Sequence, residues 1–281
     1  MEKIVINSNA KVNIGLKVFK KKDNGYHDIV TVFQEIDLSD TITLTKNPHA
    51  CHFNSNVDWL RNDNDNLCIL AYKLMKKNYG IGGINIDLNK KIPPGSGLGG
   101  GSSNAASIMK GVCKLFSLNI PKNELERLAV NIGADVPFFI NGSIQLGEGI
   151  GEKLTPLKKK ISGKYLIIIP DIIIDTFWAY SQFKNGLDTS SSSINLAGLL
   201  NKKTTSFNKF KLIENDFESI VIPTYPEIGE IKEQLCAFGA QYASLSGSGS
   251  TVFGIFNDDA LLEKAFSYFT PKYNTFISSP I

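Results

Sequence analysis

Residues 93–107 read PPGSGLGGGSSNAAS, and this stretch constrains the fold more than any other. Five glycines (Gly95, Gly97, Gly99, Gly100 and Gly101) run from two prolines into two serines, Ser102 and Ser103. Lacking a Cβ, such residues let successive backbone N–H groups turn into one concavity, and a helix start directly behind adds the positive end of its dipole. The product is an anion cradle, best suited to polyphosphate. Clustered glycines lose much backbone entropy on folding, so a turn without a ligand is the weaker reading.

The flanks give the order of elements. Ile84, Ile86 and Leu88 alternate with polar residues, which is strand periodicity, and Ile92-Pro93-Pro94 stops the strand. Ala105, Ala106, Met109, Val112, Cys113 and Phe116 then recur at helical spacing. Two common phosphate loops share this strand–loop–helix order, and neither fits. A Walker A loop ends in Gly-Lys-Ser/Thr, and no lysine lies between Lys91 and Lys110. A Rossmann fingerprint is met by Gly95, Gly97 and Gly100 but needs a strand after the helix. Pro121 instead opens another helix, with Leu125, Leu128, Ala129 and Ile132 on one face.

Composition bounds the class. A chain of 281 residues can form two domains of ordinary size around a substantial core. Its net charge of +3 and hydrophobic content of 42% point to no nucleic-acid or membrane partner. Met1-Glu2-Lys3-Ile4 is not a charged-then-apolar leader, and Leu166–Ile169 is too short to span a bilayer and reads as a buried strand. Cys51, Cys68, Cys113 and Cys236 show no paired spacing, which suits reduced thiols and a cytoplasmic location. His49-Ala50-Cys51-His52 lacks a second ligand cluster and is a weak metal candidate. The expected partner is a small-molecule substrate, and the expected state a monomer or weak homodimer.

The chain reads as two halves. Lys158-Lys159-Lys160 through Lys164 looks like a solvated basic connector, after which Tyr165–Ile169 and Asp171–Ile174 open the second half. Ser190–Ser193 and Lys202–Thr205 read as surface loops, Ile228–Phe238 as a helix and Thr251–Phe256 as a strand. There is no internal repeat, and periodicity alone gives only mixed α and β.

PPGSGLGGGSSNAAS resembles the phosphate loop of the GHMP kinases, the family of galactokinase, homoserine kinase, mevalonate kinase and phosphomevalonate kinase. Further segments are similar to that family: AKVNIGLKVFKKKDNGYHDIVTVFQEIDLSD at 10–40, NIGADVPFF at 131–139, ENDFE at 214–218, YPEI at 225–228 and SLSGSGSTVFGIF at 244–256. Together they look most like the members that phosphorylate a cytidine-diphosphate-linked polyol in non-mevalonate isoprenoid synthesis. The resemblance implies an α+β (two-domain α/β GHMP kinase) architecture. An N-terminal α+β nucleotide-binding domain is expected at 1–155 and a C-terminal ferredoxin-like α+β domain at 156–281, with the active site between them. It also implies ATP as phosphoryl donor, with Mg²⁺.

Each site residue has a structural alternative. Asp135 matches the family's catalytic aspartate and would accept or orient the attacking hydroxyl's proton; Asp two residues before Pro137 also suits a helix cap. Lys11 matches the strand-one lysine that neutralises the transferring phosphoryl group; from pattern alone it is a solvated strand residue. Asn13 shares its face by period two and would bind substrate. In the resemblance Tyr26 stacks on the cytosine and His27 hydrogen-bonds it; otherwise Gly-Tyr-His is an exposed turn. Tyr180 or its rival Phe177 would face the base from the other side unless either is core packing, and Phe33 shapes the polyol pocket. Asn66 would line the adenosine site, or simply cap a helix. Pro93, Pro94, Gly95, Ser96, Gly97, Leu98, Gly99, Gly100, Gly101, Ser102 and Ser103 would hold ATP, with one serine acting as N-cap or approaching the metal. Ser246, Gly247 and Gly249 would close over phosphates or polyol through N–H groups. The chain departs from the pattern at Ser96 (alanine or glycine in many relatives), at Leu245 (methionine) and in KKKDNGYH, where lysines lack the bidentate reach of the family's arginines.

Overall fold

Alternation of apolar and polar residues draws out the two longest elements. The computed structural model describes residues 2–23, 25–61, 66–158, 161–183 and 214–281. β1 (Lys3–Lys21) is followed by the Tyr26 turn and then by β2 (His27–Asn47). Next come β3 (His52–Ser55), α1 (Asp58–Arg61), α2 (Leu67–Tyr79), β4 (Gly83–Asn89), α3 (Gly100–Leu115), α4 (Lys122–Ala129), α5 (Phe138–Asn141), β5 (Ile144–Glu148) and β6 (Lys153–Pro156). They are followed by β7 (Lys164–Ile169), α6 (Thr176–Ser181), the helices Glu218–Thr224 and Pro226–Ala237, β8 (Tyr242–Leu245), β9 (Val252–Phe256), the helix Asp259–Phe269 and β10 (Asn274–Ser278). One sheet has the order β3-β4-β2-β5-β6 with β1 paired to β2, the other β10-β7-β9-β8. No helix of the described residues is long and apolar enough to cross a membrane.

Packing divides the chain into two units, each discontinuous in sequence. The first comprises Met1–Ala10, Ser39–Pro94 and Gly99–Gly142. Here the end of β2 pairs antiparallel with β4, from Thr41↔Asn89 to Asn47↔Gly83, and β3 adds in parallel. Ile84, Ile86 and Leu88 are buried while Asp87 and Asn89 are exposed, as their alternation predicts. Helix α3 buries Ala105, Ala106, Met109 and Val112. Gly111 lets it lie against Ile6 and Leu44, whose side chains a Cβ at 111 would overlap. In α4, Leu125 and Ala129 are buried, and Leu128 is half-buried.

The second unit comprises Lys11–Leu38, Gly95–Leu98 and Ser143–Ile281. The start of β2 pairs antiparallel with β5, and β5 with β6. β7, β8, β9 and β10 form an antiparallel sheet in which the first strand lies between the fourth and third, with helical segments after the first and third strands. This is the ferredoxin-like split βαβ arrangement expected of the second half. Leu166, Ile168, Val252, Phe256 and Leu235 sit in its core, each worth about 1.5–3 kcal/mol for a fully buried side chain. The basic connector ends sooner than expected: Lys164 is already strand, because β9 extends to Phe256 and supplies its partner. Lys159, Lys160, Ser190–Ser193 and Lys202–Thr205 lie outside the described residues.

Candidate active site

A buried carboxylate sets the exit of β4 into the glycine loop. Asp40 is fully buried and accepts from the Lys91 amide at 2.7 Å, the Ile92 amide at 2.9 Å and Lys90 Nζ at 2.7 Å. Three charge-assisted donors satisfy an anion that would otherwise be costly to desolvate. Pro93 and Pro94 follow, and the chain then takes left-handed φ angles at Gly95 (66°), Gly97 (79°) and Gly99 (69°). At Gly97 the requirement is double, since a Cβ there would also overlap the Ser246 carbonyl. Leu98 is buried, and its carbonyl accepts from the Lys11 amide at 3.0 Å.

Helix α3 starts at Gly100 with Gly99 as its cap and no side-chain cap bond, so neither serine is the N-cap. The left-handed glycine takes that place and carries Ser102 and Ser103 into the first turn. Ser103 is buried, with its Oγ 2.8 Å from Ser8 Oγ, and its amide donates to the Gly99 carbonyl. The N–H groups of Gly100, Gly101 and Ser102 have no carbonyl behind them in helix geometry, which leaves an anion-binding terminus. Asn66 caps α2: Oδ1 accepts from the Cys68 amide at 2.9 Å, and Nδ2 donates to the Leu60 carbonyl.

Lys11 is not on a solvated strand face. It is 4% exposed, with Nζ donating to Asn13 Oδ1 at 2.6 Å and to the Gly97 carbonyl at 3.0 Å, and lying 5.5 Å from the centre of the buried Phe33 ring. Asn13 in turn donates from Nδ2 to Thr31 Oγ1 at 3.0 Å, and Thr31 donates to the Gly15 carbonyl at 2.6 Å. That relay fixes which end of the Asn13 amide faces the ammonium. Ser246 closes the group from the other side. Its hydroxyl donates to the Gly97 carbonyl at 2.9 Å and accepts from the Asn13 amide at 3.3 Å. A Cβ on Gly247 would stand 3.4 Å from Asn13 Oδ1 and 3.7 Å from Lys11 Nζ, so the turn lies directly against the pair. Gly249 returns its amide to the Ser246 carbonyl at 3.0 Å. Ser96 is buried, and its carbonyl accepts from Thr251.

Asp135 is half-buried in the turns that precede α5. The helix begins at Phe138 with Pro137 in the cap position and no side-chain cap bond, so the helix-cap reading of Asp135 does not hold.

His27 is 6% exposed, and its Nδ1 lies 2.8 Å from the Phe19 carbonyl. A carbonyl only accepts, so Nδ1 carries a proton and donates to it, and in the neutral tautomer Nε2 is the acceptor. Tyr180 stacks beside it, with centroids 5.6 Å apart and planes inclined by 23°, and is braced edge-on by Phe217. Its rival Phe177 is 82% exposed. Tyr26, the residue before His27, is 59% exposed.

Sequence reasoning gave no role to Asp40, Lys90, Asn215, Asp216 or Glu218. Asp216 accepts from Lys17 Nζ and the Val18 amide, both at 2.8 Å. Glu218 accepts from the Leu245 amide and Ser244 Oγ, both at 2.9 Å, and pairs with Lys232. The signal lay in the quoted LSD and ENDFE segments, but their partners are remote in sequence. Among the described residues no three His, Cys, Asp or Glu side chains are grouped so that they could hold a metal ion.

Comparison with known proteins bears on the same residues. The family description "GHMP kinases N terminal domain" matches residues 66–143, and "GHMP kinases C terminal" matches 197–274. The 4-diphosphocytidyl-2-C-methyl-D-erythritol kinase of Chlorobaculum tepidum is 35% identical over 275 residues, covering 97% of this chain and 96% of its own length. The enzyme of the same name from Lachnospira eligens is 40% identical over 262 residues, covering 92% of this chain and 91% of its own. A crystal structure of 4-(cytidine 5'-diphospho)-2C-methyl-D-erythritol kinase superposes with a TM-score of 0.82 at 27% identity, covering 99% of both chains. With the glycine loop, the two matched domains and this full-length similarity, the chain belongs to the GHMP kinases, in the branch of the 4-diphosphocytidyl-2-C-methyl-D-erythritol kinases.

Proposed function

We propose that this kinase transfers the γ-phosphoryl group of ATP to the 2-hydroxyl of 4-diphosphocytidyl-2-C-methyl-D-erythritol, giving the 2-phosphate and ADP, a step of non-mevalonate isoprenoid precursor synthesis. The observation that carries the reading is the Lys11 ammonium, buried and held by Asn13 and the Gly97 carbonyl of the phosphate loop itself. A fixed cation at the loop costs no reorganisation when charge shifts onto the transferring group. Residues 93–103 cradle the triphosphate, and Asn66 lines the adenosine end while capping α2. Asp135 accepts or orients the proton of the attacking hydroxyl. Asn13, Phe33, Ser246, Gly247 and Gly249 hold the polyol and its phosphates.

Mg²⁺ would come in with the ATP phosphates and its own waters, and needs no dedicated set of protein ligands. The hydroxyl of Ser102, half-buried at the start of α3, is the oxygen the chain offers to it. Bound there, the ion would neutralise charge on the transferring group. Tyr26, His27 and Tyr180 form the base pocket, with Nε2 of His27 turned to the cytosine as acceptor. That pocket is what separates this reading from a GHMP kinase acting on mevalonate, homoserine or a sugar. The presence of both Lys11 and Asp135 separates it from a non-catalytic nucleotide-binding protein on the same fold. The two matched domains flank the proposed division at residue 155, and we place the enzyme in the cytoplasm as a monomer or weak homodimer without nucleic-acid or membrane partners.

The test is ADP release from Mg-ATP with 4-diphosphocytidyl-2-C-methyl-D-erythritol, mevalonate, homoserine and galactose in parallel. Turnover with the cytidine compound alone is expected. Turnover with another alcohol would overturn the base pocket, and silence with all four despite ATP binding would overturn catalysis.

A further inference from the structure

The ENDFE segment has no part in the reading above, yet its first buried side chain reaches the same turn. Asn215 is 2% exposed. Its Nδ2 donates to the Leu245 carbonyl at 2.9 Å and the Gly247 carbonyl at 2.8 Å, while its Oδ1 accepts from the Phe217 amide at 3.0 Å. Two carbonyls on one side and an N–H on the other admit only this orientation of the amide. Every hydrogen of the amino group is used, and both donations fall on either side of Ser246. The backbone of residue 215 is itself held, because Leu16 donates to the Glu214 carbonyl at 3.1 Å and accepts from the Asp216 amide at 2.8 Å. Asn215 therefore ties the strand that bears Lys11 and Asn13 to the turn that faces them.

From that turn the contacts continue without a break. Ser246 Oγ donates to the Gly97 carbonyl at 2.9 Å, and Lys11 Nζ donates to that same carbonyl oxygen at 3.0 Å. The Gly97 carbonyl thus has two donors, one mobile in principle and one set by the position of Ser246. We propose that Asn215 is a positioning residue for the Lys11 ammonium, acting through the Ser246–Gly247 turn and the Gly97 carbonyl. The proposal rests on the catalytic reading of Lys11. Removing its amino group takes a donor from the Gly247 carbonyl and one from the Leu245 carbonyl, which retains Ser244 Oγ at 3.3 Å, and lets the turn relax. A shift of about 1 Å at a positioned group lowers turnover by about a hundredfold.

The experiment is a double-mutant cycle with Asn215→Ala and Lys11→Ala, followed by single turnover with γ-labelled ATP and by calorimetric titration of nucleotide. Asn215→Ala is expected to lower the transfer rate by about a hundredfold while nucleotide stoichiometry and affinity stay at the wild-type values. In the Lys11→Ala background the same substitution is expected to change the rate little. An unchanged rate per bound nucleotide with reduced stoichiometry would make Asn215 merely structural and overturn the proposal. An equal penalty in both backgrounds would mean no coupling to Lys11 and would overturn the proposal. A wild-type rate in Lys11→Ala would instead overturn the catalytic reading of Lys11 and the proposal with it. Should Asn215→Ala fold poorly, Asn215→Asp keeps the shape and turns a carboxylate oxygen toward the two carbonyls. It is expected to show the same loss of rate at full nucleotide stoichiometry, and a wild-type rate in it would overturn the proposal.

Discussion

Tyr26 and His27 are adjacent in sequence and opposite in exposure, and the contrast decides how each can be tested. The Tyr26 ring is 59% exposed, so its removal belongs among the surface substitutions that shift stability by about 0.5 kcal/mol or less. A base stacked on such a ring gains about 1–3 kcal/mol. Tyr26→Ala is therefore expected to raise KM for the cytidine substrate by about tenfold or more, with Tm and KM for ATP unchanged. Steady-state kinetics with each substrate varied in turn checks this, and an equal rise in both would remove the stacking argument. His27 would be a poor probe, because its ring is buried against Tyr180 and tied to Phe19. At this scale the strand period put Lys11 and Asn13 on one face correctly, and they meet at 2.6 Å. It could not reveal that the lysine is buried, since burial comes from Gly97 and Phe33, residues that the local pattern does not see.

The element that most repays scrutiny is the glycine loop, where two glycines with similar dihedral angles have different surroundings. Gly95 has a φ of 66° with open space around its missing Cβ. Gly97 has a φ of 79° and the Ser246 carbonyl against it. An alanine at either place bears the left-handed cost of about 1–2 kcal/mol; only at 97 must the Ser246–Gly249 turn also move. Gly97→Ala is accordingly expected to lower both Tm and kcat well beyond Gly95→Ala. Thermal melts with matched kinetics decide it, and equal losses would mean that the 97–246 contact is not limiting. The order of strand, loop and helix was legible because prolines and glycines punctuate it so sharply. The helix start was not: serine is a favoured cap, but a left-handed Gly99 had already taken that position. Asp40 was equally illegible, since the amides it holds at Lys91 and Ile92 lie some fifty residues along the chain.

For the molecule as a whole, buried thiol and phenol groups tie stability to alkaline pH. Burial pushes the Cys68 thiol from 9.0 up to about 12. Burial first, then the hydrogen bond to Glu124, takes the Tyr79 hydroxyl from 10.0 to about 12, and burial raises Tyr242 as well. In the unfolded chain the thiol loses its proton near pH 9 and the phenols near pH 10, while the folded protein keeps them until about pH 12. Over that window the unfolded state binds fewer protons, so the stability these groups contribute is complete below pH 9 and drains away above it. Tm is expected to fall between pH 9 and pH 11 in scanning calorimetry, and a flat profile there would contradict the burial of these groups.

The two packing units exchange chain five times, at residues 10/11, 38/39, 94/95, 98/99 and 142/143. Leu16 is bound to Glu214 and Asp216, and Glu35 and Asp37 to Ile281 and Ser279. Strands β1 and β2 are thus completed by residues translated some two hundred positions later. At about 5–20 residues per second, the apolar run through Val12, Ile14, Leu16 and Val18 waits roughly 10–50 s for its last neighbours. During synthesis that apolar run stays without its late partners, and the pace of translation through the second half sets how long the exposure lasts.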